Sequence, residues 1–201
     1  MARRGRLGVL GWPVAHSRSP AIHAAAFAAL GLEGWRYQLL PVPADLLVET
    51  VRALPGAGFV GANVTVPHKE AALALADEAS PTARAIGAAN TLSFRADGTI
   101  AADNTDAPGL IAALPMPVDG RSALVLGAGG SARAAVFALR EAGASDVAVW
   151  NRTADRAEAL VAARARYAAL EDCLLRVLVV GLQANRSHRK QDNNASLNGK
   201  S

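Results

Sequence analysis

The chain has 201 residues, 51% of them hydrophobic, with 21 Lys and Arg against 17 Asp and Glu and a single cysteine. That much apolar material fits one large domain or two small ones and excludes a disordered chain or a small disulfide scaffold. Gly, Pro, Arg or His break every apolar stretch before the roughly 20 residues a membrane-spanning helix needs. Of the net charge of +4, Asn185 to Ser201 carries +3, so the body presents no basic face for nucleic acid.

Predicted elements follow one another in a strand and helix rhythm. Arg3, Arg4 and Arg6 before Leu7 to Ala15 imitate a secretory signal, but Gly8, Gly11 and Pro13 interrupt the run, and Leu7–Leu10 reads as a buried strand ending at a glycine turn. Cys173 has no partner for an internal disulfide, which makes the cytosol the expected compartment. A helix is expected over Pro20–Leu30, with Ser19 as N-cap and Gly31 as stop. Strand Trp35–Leu40, helix Ala44–Leu54, strand Phe59–Val64 and helix Lys69–Asp77, begun at Pro67, come next. Thr91–Arg95 and Thr99–Ala102 form a hairpin turning at Asp97-Gly98, after which Pro108, Pro115 and Pro117 punctuate a connection. The pattern restarts with strand Ala123–Leu126, a helix to Ala142, the stop Gly143 and strand Asp146–Trp150.

This order predicts an α/β protein: an N-terminal α/β substrate domain over residues 1–105, an incomplete Rossmann-type domain over 106–184, and a disordered tail over 185–201. Leu174 to Leu182 reads as one further strand.

The second block holds the more specific local signal. Strand Ala123–Leu126 runs into Gly127, Ala128, Gly129, Gly130, Ser131 and Ala132 and then into a helix, the context in which glycines let a backbone approach a pyrophosphate at a helix N-terminus. An NAD site places Asp or Glu at the end of the next strand; here Asn151, Arg152 and Thr153 stand there, 22 residues after Gly129 in the case of Asn151. Arg152, with Arg156 and the Thr153 hydroxyl, suits a 2′-phosphate, so NADP is the expected cofactor.

In the first block composition singles out one residue. Lys69 is the only lysine before Asn185, in a body that otherwise uses arginine. Arginine stays protonated at any workable pH, whereas lysine can release a proton, so a site that exchanges protons accepts Lys and refuses Arg. The body's asparagines, Asn63, Asn90, Asn104 and Asn151, fall in short polar stretches at strand ends. In an open parallel sheet those ends face the ligand crevice. Ser19, Thr65 and Asp106 are also placed to cap helices, and His68 reads as a turn residue rather than a catalytic base, with His16 and His23 structural.

Together His16-Ser17-Arg18-Ser19-Pro20, Asn63-Val64-Thr65-Val66-Pro67-His68-Lys69, Gly87-Ala88-Ala89-Asn90-Thr91, Asn104-Thr105-Asp106, Gly127-Ala128-Gly129-Gly130 and Asn151-Arg152-Thr153 resemble the shikimate dehydrogenase family over about residues 6 to 165. The resemblance implies reversible reduction of 3-dehydroshikimate to shikimate with NADPH in aromatic amino acid biosynthesis. It implies that Ser17 and Ser19 hold the substrate carboxylate and that Thr65, Asn90 and Asp106 hold ring hydroxyls. Lys69 would pass a proton to the carbonyl oxygen, positioned by Asp106. The partners implied are small molecules, with monomer and homodimer both open and no metal.

Ala102 and Ala107-Pro108 depart from glycines common in the family, and beyond about Leu170 the family's pattern is lost. Two readings of different class follow: a working NADP-dependent dehydrogenase of shikimate, or a truncated, non-catalytic fragment; quinate oxidation is the enzyme alternative.

Overall fold

The computed structural model describes residues 4–164, 166–167 and 178–181. Two sheets divide these residues. In the first half, strands β1 (Gly5–Gly11), β2 (Trp35–Pro41), β3 (Gly61–Val64), β4 (Glu78–Ala79), β5 (Thr91–Phe94) and β6 (Ile100–Asp103) lie in the order β2-β1-β3-β5-β6-β4. Parallel pairing joins β1 to β2 and to β3, but β5 runs antiparallel to both β3 and β6. The sheet is therefore mixed rather than wholly parallel. The antiparallel turn of β5 matters for the site: Asn63 at the end of β3 pairs with Thr91 at the start of β5, which pairs with Asp103 at the end of β6. Three polar loops thus meet at one edge of the sheet.

Helices α1 (Ser19–Ala29), α2 (Leu47–Ala53), α3 (Lys69–Leu75) and α4 (Pro81–Ile86) connect these strands. The main core packs Leu47 and Val51 of α2 against Leu10, Val64 and Leu92 of the sheet, all nearly fully buried. Each such leucine is worth about 2–5 kcal/mol against alanine. Helix α1 buries no residue fully. It is held instead by rings: His23 stacks on Tyr37 with centroids 3.9 Å apart, and Phe27 meets Trp35 at 6.0 Å.

Ser19 is not the N-cap expected of it. Arg18 occupies that place without a side-chain cap bond, Ser19 is the first helical residue, and its hydroxyl accepts from Ser17 Oγ at 3.1 Å. The proline-punctuated connection is corrected too, because Asp106–Ala113 forms helix α5. Pro108 falls in its first turn, where the missing N–H would have no intrahelical acceptor anyway.

The second sheet, wholly parallel, consists of β7 (Ser122–Leu126), β8 (Asp146–Trp150), β9 (Arg166–Tyr167) and β10 (Leu178–Gly181) in the order β10-β7-β8-β9. Helices α6 (Gly130–Glu141) and α7 (Ala154–Arg164) complete it. The predicted strand near Leu174–Leu182 thus survives as β10, whereas the tail over 185–201 lies outside the described residues.

Helix α6 is buried on two flanks. Ala132, Ala135, Val136 and Leu139, at helical spacing, join the core formed with Val125, Val147 and Val149. Ala134 and Ala138 pack instead with Ile86, Ala88 and Ala107, which belong to α4, the following loop and α5. Methyl groups on that flank let the first half of the molecule come up against the second. No described helix is long and apolar enough to cross a membrane.

Candidate active site

The local sequence explains how each polar loop reaches the cleft. Thr65 N donates to Leu10 O at 2.8 Å and His68 N to Thr65 O at 2.9 Å, so the chain leaving β3 turns straight into α3. His68 closes a turn, as expected, and is buried there: it is 1% exposed, and its Nε2 lies 2.7 Å from Val42 O, which fixes a donating tautomer at that nitrogen. That bond pins the start of α3 to the loop after β2. Ala89 N donates to Lys69 O at 2.8 Å and pins it from the other side.

Lys69 is buried to within 8% of full exclusion. Its Nζ donates to Asp106 Oδ2 at 2.6 Å and to Ser131 Oγ at 2.7 Å. Asp106 begins α5 yet does not cap it; its other oxygen, Oδ1, accepts from Asn90 Nδ2 at 2.8 Å. Asn90 is saturated, since Nδ2 also donates to Thr105 Oγ1 at 2.9 Å, while Oδ1 accepts from Thr105 N and Thr91 Oγ1, both at 2.9 Å. Asn104 is 2% exposed; it donates to Ala88 O at 2.9 Å and accepts from Asp106 N at 3.0 Å. It holds the loop carrying Asn90 against the turn carrying Asp106.

Of the polar residues that stand out in the sequence, Asp106 links Lys69 to Asn90, and Ser17, in the loop before α1, bonds Ser19 at its start. The bridge between the two groups includes Tyr37, which the sequence reading missed. Tyr37 Oη donates to Asn63 Oδ1 at 2.7 Å and also bonds Ser19, and Asn63 Nδ2 reaches Thr91 Oγ1 at 3.4 Å. Strand alternation gives only a weak signal: residues 35, 37 and 39 share a face of β2, and one of them is a tyrosine. Thr65 caps no helix and lies at the same edge, its Cγ2 only 2.5 Å from where a Cβ on Gly11 would stand.

Burial pushes the Tyr37 hydroxyl up to about 12, against a smaller lowering by the Ser19 bond. The folded protein therefore keeps this proton while an unfolded chain loses it near the ordinary value of about 10. The contribution to stability is complete below pH 10 and declines as pH rises from 10 to about 12. Spectrophotometric titration should show a phenolate component with a midpoint about 12 that Tyr37→Phe removes; a midpoint near 10 for that component would contradict the arrangement.

On the opposite wall Gly127 has φ 121° and its N–H donates to Trp150 O at 2.7 Å. A Cβ on Gly129 would meet nothing within 4 Å, so that glycine faces open cleft at the N-terminus of α6. The cleft, about 360 Å³, is lined by Lys69, Gly129, Gly130, Ser131, Arg133 and Arg156, among others. Arg133 was not singled out from sequence. Its Nε is buried with no acceptor among the described residues, and its Nη2 reaches Glu70 Oε2 at only 3.5 Å. An under-bonded guanidinium beside a glycine turn and a helix N-terminus fits a dinucleotide's phosphates. Asn151 Nδ2 donates to Thr153 O at 2.9 Å, ordering the turn past β8 on which Arg152 stands exposed. Arg152 and Thr153 are not among the cleft-lining residues, whereas Arg156 is.

The described residues contain no group of three or more metal-ligating side chains.

Comparison with known proteins agrees in both halves. Residues 9–92 match the family model of the shikimate dehydrogenase substrate binding domain, and residues 112–183 that of shikimate / quinate 5-dehydrogenase. The NADP(+) shikimate dehydrogenase of Paracoccus denitrificans is 53% identical over 156 residues, 75% of this chain and 55% of that protein. A crystal structure of shikimate 5-dehydrogenase from Thermus thermophilus in complex with shikimate superposes with a TM-score of 0.79 at 46% identity, covering 88% of this chain and 68% of that one. The same enzyme in complex with NADP(H) and shikimate gives a TM-score of 0.78 at 45% identity over the same shares. The chain spans little more than half the length of the curated relatives it matches, 55% of the Paracoccus protein and 58% of one from Methylobacterium radiotolerans.

Proposed function

The chain belongs to the shikimate dehydrogenase family, and from that premise we propose that it catalyses NADP-dependent, reversible interconversion of 3-dehydroshikimate and shikimate. The observation that carries the proposal is the buried Lys69 amine held between Asp106 and Ser131, where the polar loops of the first sheet meet the glycine turn of the second. NADPH supplies the hydride when bound. The domain division at residues 105 and 106 enters the same proposal, with the substrate held by the first part and the cofactor by the second.

Each residue's task follows from what it can donate or accept. Ser17 and Ser19, hydroxyl to hydroxyl where the chain enters α1, suit a carboxylate, and Tyr37 behind Ser19 keeps its proton on the bond to Asn63 Oδ1. Thr65 and Asp106 suit ring hydroxyls, while Asn90, its amide already engaged, would reach one only by giving up a bond to Thr105 or Thr91. Lys69 Nζ gives a proton to the carbonyl oxygen during reduction and takes it back during oxidation, and Asp106 Oδ2 keeps the amine aimed throughout. Gly127, Ala128, Gly129, Gly130, Ser131 and Ala132, with Arg133 behind them, would hold the pyrophosphate. Asn151, Arg152, Thr153 and Arg156 would hold the adenosine 2′-phosphate. The same reading places the protein in the cytosol, acting on small molecules as a monomer or homodimer.

The direct test mixes the purified chain with shikimate and NADP+ and follows the absorbance of reduced nicotinamide, with NAD+ and with quinate as parallel arms. No turnover by cooperatively folding protein would leave the fragment reading in its place. Cofactor choice has its own test. Arg152→Ala should raise KM for NADP+ about tenfold, the worth of one charge-assisted phosphate contact, with Arg156→Ala adding to it and the NAD+ parameters unmoved. An equal loss with both cofactors would show that Arg152 reads no 2′-phosphate.

A further inference from the structure

The glycine turn contacts more than an expected cofactor. We infer that Gly130 and Ser131 are positioning residues for Lys69, so that the cofactor turn doubles as the seat of the proton donor. This deepens the proposed function and rests on Lys69 being that donor.

Three observations converge. Gly130 opens α6, and its φ lies outside the left-handed region that would demand glycine. The neighbour demands it instead: a Cβ there would come within 2.8 Å of Lys69 Cβ, 3.2 Å of Lys69 Cδ and 3.4 Å of Ala88 Cβ. The aliphatic stem of Lys69 lies across the bare backbone of Gly130. Ser131, the next residue, accepts from Lys69 Nζ at 2.7 Å, while Asp106 accepts at 2.6 Å from the start of α5. An ammonium group has three N–H bonds in tetrahedral array, so two fixed acceptors also fix the direction of the third. With Asp106 alone the amine swivels about one bond; with Ser131 it does not. A second tie runs the same way one residue along on α3 and two along on α6, where Glu70 faces Arg133 at 3.5 Å.

The amine itself supplies the measurement, because Lys69 is the only lysine before residue 185 and Lys190 and Lys200 serve as internal references. The full chain is treated with trinitrobenzenesulfonate, and the rate of labelling at each lysine is followed by peptide mass spectrometry. Ser131→Ala should raise the Lys69 rate about tenfold, the worth of one hydrogen bond to a charged group, and Ser131→Thr, which keeps the hydroxyl, should restore it. Gly130→Ala should raise it as well by displacing the stem. In turnover Ser131→Ala should lower kcat about tenfold with KM for shikimate within about twofold, a split that general loss of structure does not give. A Lys69 labelling rate unchanged in Ser131→Ala, with the thermal transition intact, overturns the inference whatever happens to kcat. Wild-type chain that shows the labelling pattern but no turnover overturns the dehydrogenase reading and leaves the positioning in place.

Discussion

Replacing Lys69 by alanine should lower the rate of shikimate oxidation by about 10²–10⁴-fold, the usual worth of a placed general acid or base. The more telling variant is Lys69→Arg. It keeps the positive charge and much of the stem beside Asp106, but a guanidinium does not release its proton at workable pH. If the role of the amine were only to balance the carboxylate of Asp106, arginine would restore most of the rate. If the role is transfer of a proton, arginine should remain within about tenfold of alanine, with KM for shikimate changing less than kcat. Steady-state rates of the three proteins, measured with saturating NADP+, decide between these, and substantial recovery by arginine would remove Lys69 from the chemistry.

Asn90→Leu should cost about 3 kcal/mol of stability and at least tenfold in kcat together. The volume change is small, so cavity formation contributes little. What is lost is a saturated amide: Thr105 N, Thr91 Oγ1 and Thr105 Oγ1 lose their partner, and Asp106 Oδ1 loses the donor that sets its orientation toward Lys69. Asn90 is only 8% exposed, so water does not readily replace those bonds. Urea unfolding gives the first quantity and turnover the second. A stability loss below about 1 kcal/mol would mean that the orphaned groups find water or other partners.

Much of the architecture follows from local pattern. The strands at residues 7–10, 123–126 and 146–150 stand out because short apolar runs end at Gly or Asn, and that at 35–40 by alternation ending at Pro41; all four are present. Helix α4 escaped notice because its six residues, Pro81 to Ile86, are too few to show a period, although Ser80 caps it by accepting from Ala83 N at 3.0 Å. Helix α5 is hidden in the sequence because Pro108 has the look of a breaker although it stands in the first helical turn. The direction of β5 is a matter of tertiary pairing with β3, on which its four residues say nothing.

The site shows the same division. Lys69 stands out by composition and Asn90, Asn104 and Asp106 by clustering, but the partners that orient them come from far away in sequence. Ser131 lies 62 residues beyond Lys69, and Tyr37 lies 26 residues before Asn63. His68 resembles any turn histidine until its 1% exposure and its bond to Val42 O are seen.

Helix α6 also sets terms for anyone redesigning this protein. Because alanines line the flank toward Ile86 and Ala107 while Val136 and Leu139 fill the flank toward the second sheet, a bulkier substituent pries the halves apart on the first flank and lifts the helix off its own sheet on the second. Thermostabilising libraries belong elsewhere, on α1, where Ile22 is 64% exposed and no side chain is fully buried, so recoding its outer surface leaves the cleft's spacing alone.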